Sequence, residues 1–166
     1  MGKRAVIPKV VLVLMAMSSP LTAKAQAVAE PATAVCTFSF DNGSLSPGLL
    51  PTPAPGYWRA GPGPIDCTGS LNGRHVTGTG VIVESGSLEG SCAGGSGSGT
   101  QSITIPTAGG DVHFTQPITF RWAGAGGPFE GPRLSGTFEF RPTQGDCIRE
   151  PLTGYAQVTQ AVLGNP

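Results

Sequence analysis

The sequence predicts an all-β fold, a single antiparallel β-sandwich or curved β-barrel of seven to nine strands with two disulfides. Three observations point there. Residues 111–122 alternate, with Val112, Phe114, Gln116, Ile118, Phe120 and Trp122 on one face and Asp111, His113, Thr115, Pro117, Thr119 and Arg121 on the other. A period of two lays one face of a strand on a core and the other in water. No segment beyond residue 25 repeats its apolar residues at helical spacing. Four cysteines, Cys36, Cys67, Cys92 and Cys147, follow what reads as an export signal.

That signal occupies residues 1–25. Lys3, Arg4 and Lys9 precede an unbroken apolar run over 10–17, and Ala23-Lys24-Ala25 is a small-x-small cleavage site. The run is too short to span a bilayer. The expected product is secreted and extracellular, free of the membrane, with a mobile segment at 26–34 and one domain at 35–166. Without Lys3, Arg4, Lys9 and Lys24 it keeps six arginines against ten carboxylates, a net charge of −4. That balance offers no footprint for nucleic acid or an anionic membrane. An even cysteine count in an oxidising compartment reads as two disulfides. Three pairings exist; Cys36–Cys67 with Cys92–Cys147, which joins neighbours along the chain, is preferred. Each closed loop is worth roughly 3–4 kcal/mol in the chain-entropy model. No Cys-x-x-Cys pair is present and only His75 and His113 could assist, so neither a metal nor any other cofactor is expected.

Taken in order, the first strand covers residues 35–40, with Cys36, Phe38 and Phe40 on one face, and Asp41-Asn42-Gly43 reads as a tight turn. Residues 46–64 hold six prolines, a density that predicts an extended surface segment rather than a central strand. Asn72-Gly73 is the clearest hairpin signal, between strands at 67–71 and 74–84. Residues 92–97 read as a loop and 98–105 as a strand. Pro117 predicts a bend or an edge that divides the 111–122 run. A Gly/Pro loop follows at 124–132, then strands at 133–141 and 155–163. Gly78, Gly80, Gly97, Gly99 and Gly136 leave gaps on strand faces, over which Phe114, Phe120 and Trp122 are expected to pack in a curved sheet.

The stretch Leu134-Ser135-Gly136-Thr137-Phe138-Glu139-Phe140, followed by Pro142-Thr143-Gln144-Gly145-Asp146-Cys147, carries a resemblance. With Cys67-Thr68-Gly69-Ser70-Leu71 and Ser96-Gly97-Ser98-Gly99-Thr100 upstream, it is similar to an uncharacterised group of small exported actinobacterial-type Gly/Thr-rich β proteins with four cysteines. The resemblance covers most of the chain after residue 25. It implies export and an all-β body and lends no catalytic residue. More distantly, in size, disulfide count and Gly/Ala/Thr-rich strands, the chain resembles the apoproteins of enediyne chromoproteins, small β-sandwiches with a ligand cleft. Their disulfides close short loops, whereas consecutive cysteines here lie 31, 25 and 55 positions apart, so that family's function is not carried over.

No nucleophile elbow, zinc-protease helix, dinucleotide fingerprint or calcium loop is present. Asp111 and His113 share a strand face, and an Asp that orients a His is half of a triad; two charged or polar residues at the start of an exposed strand face form the same pair without chemistry. Glu84, Glu89, Glu130 and Glu139 are carboxylates with no spacing that marks them as a catalytic pair. Tyr57 and Trp58 in the proline-rich segment either pin it to the body or form a stacking platform for a sugar ring, with Phe129 as a further aromatic. The reading is a secreted, non-catalytic binding or structural module that touches polysaccharide or another extracellular protein through Tyr57, Trp58 or Phe129. A small hydrolase using Asp111 and His113, and a protease inhibitor presenting a loop near Cys92, are the alternatives.

Overall fold

The computed structural model describes residues 34–164. The expected signal peptide lies outside the described residues, and of the expected 26–34 segment only Ala34 falls within them, already in a strand. The strands are β1 (Ala34–Leu49), β2 (Ala54–Thr68), β3 (Ser70–Leu71), β4 (Arg74–His75), β5 (Gly80–Ser91), β6 (Gly94–Ile105), β7 (Val112–Ala123), β8 (Gly126–Glu130), β9 (Leu134–Gln144) and β10 (Leu152–Leu163). Eight of them close into an antiparallel barrel in the order β1-β10-β9-β8-β7-β6-β5-β2, and β3 and β4 form a separate hairpin. The body is all-β, and of the two expected architectures it is the barrel. Closure gives every barrel strand a neighbour on each side along at least part of its length, which leaves less exposed edge than an open sheet. Eight strands enclose an interior just wide enough to be filled by side chains or to hold one small ligand.

Alternation builds that interior. On β7, Gln116, Ile118 and Trp122 are buried and Val112, Phe114 and Phe120 half-buried, while Thr115, Pro117, Thr119 and Arg121 face outward. The ladders of β5, β6 and β7 stack these inward residues into layers. From the end where β1 begins, here called the base, Ile82, Ile103 and Phe114 form one layer. Glu84, Gln101 and Gln116 form the next, then Gly86, Gly99 and Ile118, then Leu88, Gly97 and Phe120, then Gly90, Gly95 and Trp122. The base is therefore aliphatic, with Ile65, Ile82, Ile103, Ile105, Leu134 and Leu163 all buried. Toward the mouth, Phe120 occupies the space a Cβ on Gly97 would need, as the sequence predicts, and Trp122 covers Gly90 and Gly95. Gly80, Gly99 and Gly136 instead lie close to neighbouring backbone, Gly78 faces Pro106, and Phe114 packs against Arg133.

Several segments expected as turns or loops are strand. Asp41-Asn42-Gly43 does not turn; β1 continues to Leu49 with a register shift between Phe40 and Gly43. The Asn42 side chain clamps Gly61 of β2, donating to its carbonyl at 3.2 Å and accepting its amide at 3.0 Å. The proline-rich segment supplies much of β2, which pairs with both β1 and β5. Pro62 and Pro64 fall where pairing with β1 lapses, between Arg59 and Ile65, so on that side no ladder bond needs the amide hydrogens they lack. Pro117 does not divide β7 for a similar reason: it pairs with Thr100 on β6, and β8 reaches only from Thr119 onward. Gly94 to Gly97 begin β6 rather than belonging to a loop, and the 124–132 loop contains β8. Asn72 and Gly73 turn the β3–β4 hairpin, with φ of 52° and 73°, the left-handed pair that a two-residue hairpin turn requires.

Both disulfides join the preferred partners. Cys36 and Cys67 sit opposite each other on β1 and β2 near the base, with Cα atoms 4.1 Å apart. Cys92–Cys147 ties the β5–β6 turn to the β9–β10 connection at the mouth, with Cα atoms 6.3 Å apart.

Candidate functional site in the barrel interior

Between the aliphatic base and the mouth lies a cavity of about 60 Å³. That is room for about four waters. Its walls include Trp58, Phe120, Trp122, Phe138, Phe140 and Tyr155, and Glu84 and Gln101 stand at its inner end. The space arises from missing side chains. In the layer next to Glu84 toward the mouth, β5 and β6 contribute only Gly86 and Gly99. Around it the rings interlock: Trp58 meets Phe120 edge-on at 5.2 Å across the barrel, and Phe120 meets Phe138 edge-on at 6.0 Å.

The polar layer is a directed chain. Gln101 donates to Glu84 Oε1 at 2.5 Å, Gln116 donates to Gln101 Oε1 at 2.7 Å, and Gln116 Oε1 accepts the backbone amides of Arg133 at 2.9 Å and Leu134 at 3.1 Å. Each amide side chain thus points its N–H toward Glu84. Burial pushes the Glu84 carboxyl up from its usual value to about 7, with the Gln101 bond opposing the shift. Burial first, and the Glu84 charge second, raise the Tyr155 phenol above its ordinary value. The register explains how that charge reaches Tyr155. Ala60 is opposite Glu84 and Gly43 is opposite Tyr155, so two small residues lie between the two polar ones. The Tyr155 ring covers Gly43, 2.5 Å from where a Cβ would stand.

Two indole N–H groups differ in a useful way. Trp122 donates to Ser91 O at 3.2 Å, whereas the buried Trp58 N–H has no hydrogen-bond partner. Trp58 pairs with Gly86 on β5, two residues beyond Glu84, so these two inward side chains are diagonal neighbours. Gln101 holds one oxygen of Glu84, the Trp58 donor is unspent, and both residues line the cavity.

The aromatic residues singled out in the sequence separate. Tyr57 and Trp58 alternate across β2, so they do not form one surface platform: Tyr57 is 69% exposed and Trp58 only 6%. Tyr57 edges an outer groove of about 610 Å³ with Pro47, Pro55, Ser87, Glu89 and Ser96. Phe129 is buried, edge-on to Phe38 at 6.1 Å, and lines the inner cavity. Asp111 and His113 are exposed at the base end of β7, and His113 Nδ1 pairs with the Thr104 hydroxyl at 2.8 Å, not with Asp111. Glu84, Gln101 and Gln116 were not marked as a site by sequence reasoning, although their inward parity on three successive strands is a readable signal. No protein-family model, curated protein or solved structure matches this chain.

Proposed function

We propose that the protein is an exported binding protein whose barrel interior takes up a small, mostly apolar molecule bearing one polar oxygen. The observation that carries this reading is an aromatic-walled cavity holding a buried N–H donor with no partner, Trp58, beside a carboxyl with one oxygen engaged. Such sites are mainly apolar with a few convergent polar groups that fix orientation. The two disulfides fit the oxidising compartment that export would supply.

Cyclopentanone is a suitable probe, because its ring suits the walls and its carbonyl suits the Trp58 donor. The Trp58 indole N–H resonance is expected to move saturably as the ketone is added, while that of Trp122, already bonded to Ser91, stays nearly still. Phe140→Ala, which deletes a ring from the wall, is expected to tighten binding of the larger probe 2-naphthol by about tenfold, the equivalent of roughly two buried methylenes. Unmoved Trp58 resonances with both probes in both proteins would refute an internal site. The outer groove supports a second reading, contact with polysaccharide through Tyr57. On that reading Tyr57→Ala abolishes retention on insoluble glycans and leaves the Trp58 response intact.

A further inference from the structure

Resting on this binding reading, we propose that the barrel is also a proton-transfer enzyme: Glu84 moves a proton to and from carbon in a small enolisable ketone or aldehyde held in the cavity. The lining residues carry the argument. Among the described residues the cavity wall contains no serine, cysteine, histidine or lysine, so the acidic or basic side chains that line it are Glu84 and Tyr155. Among the described residues Glu84 is held at Oε1 by Gln101, and Gln101 is itself fixed through Gln116 to the backbone of residues 133 and 134. A base held this way has one defined direction left in which to act. Its diagonal neighbour Trp58 carries a buried N–H with no partner, a donor among aromatic rings, where a hydrogen bond to a developing oxyanion counts for more than in water.

The step balances without a co-reactant. The Glu84 carboxylate takes a proton from the carbon next to the carbonyl. The electron pair of that C–H bond becomes the C=C bond of an enolate, and the carbonyl π pair moves onto oxygen, which accepts the hydrogen bond from Trp58. The Glu84 carboxylic acid then returns the proton. Delivery to the same carbon gives exchange once the Glu84 acid has traded the abstracted proton for one from water, and delivery to the far end of a conjugated double bond gives isomerisation; nothing is oxidised or reduced. The groups facing Glu84 from neighbouring strands are Ala60 on β2 and Gln101 on β6, with Tyr155 reaching over from β10. Of these only Tyr155 titrates, and its phenol keeps its proton through neutrality, so the pH profile belongs to Glu84. The rate should rise with pH and level off once the Glu84 carboxyl, which titrates at about 7, has ionised.

The test is exchange of the α-hydrogens of cyclopentanone in deuterated water, followed by proton NMR on the whole protein with both disulfides intact. Wild type is expected to exchange about 100-fold faster than an equal concentration of acetate in the same buffer. Glu84→Gln is expected to fall to the buffer rate while the ketone still moves the Trp58 resonance. Trp58→Phe is expected to slow exchange about tenfold and leave the midpoint of the pH profile unchanged. Wild-type binding with exchange no faster than buffer, or Glu84→Gln exchanging as fast as wild type, overturns the proposal and leaves the binding reading standing. A ketone that moves no indole resonance overturns both.

Discussion

Gln116→Leu is expected to destabilise the protein by about 4–5 kcal/mol, the largest loss foreseen for any single buried side chain here. The shape hardly changes; what is lost is the patch that Gln116 supplies in the barrel wall. β8 ends at Glu130 and pairs with β7 only from Thr119 onward, so the lower half of β7 has no strand beside it on that side. Gln116 fills the breach. Its Oε1 accepts the amides of Arg133 and Leu134, and its Nε2 donates to Gln101 and to Leu134 O, the latter at 3.3 Å. Gly131 leaves room for this, since a Cβ there would stand 2.6 Å from Gln116 Nε2. Leucine would leave two backbone amides and the Gln101 carbonyl buried and unpaired, at about 1–3 kcal/mol each. Chemical denaturation with the disulfides intact measures it, and a loss below about 1 kcal/mol would mean that water or a backbone shift satisfies these groups instead.

The local parts of this architecture are legible in the residues, and the non-local parts are not. The faces of β7 and the Asn72-Gly73 hairpin follow from a few adjacent residues, whereas the cysteine pairing follows only from order along the chain and, of the glycines expected under rings, only Gly97 lies under one. β2 did not read as a strand because the rule against proline in a ladder assumes a partner at every position. Here Pro62 and Pro64 coincide with a gap toward β1, a fact of register that no local pattern contains. A register shift against β5, between Ala60 and Gly63, hides which side of the sheet Trp58 takes. Glu84 was missed for a different reason. Alternation from Gly80 and Ile82 places it inward, but a carboxylate at the end of a predicted strand is ordinarily solvated, and only the apposition of Gln101 and Gln116 makes its burial affordable. Closure itself depends on β1 meeting β10, the two ends of the described chain.

That burial leaves a measurable trace in the dependence of stability on pH. Folded Glu84 keeps its proton up to about pH 7, whereas the same side chain in the unfolded chain, at its usual value of 4.5, has already lost it. Between those two values the folded state binds the extra proton, so the contribution of this group is fully present below pH 4.5 and declines as pH rises, until nothing further is lost above about 7. The interval corresponds to about 3 kcal/mol, at 1.36 kcal/mol for each pH unit. Glu84→Gln keeps the acceptor for Gln101 and removes the titration. The variant is therefore expected to match wild type near pH 4.5 and to exceed it by about 3 kcal/mol at pH 8, with a flatter profile between. Denaturation midpoints at a series of pH values decide it. Parallel curves for the two proteins would mean that the carboxyl titrates in the folded barrel as it does in water, and the desolvated carboxyl that the proton transfer requires would be lost with it.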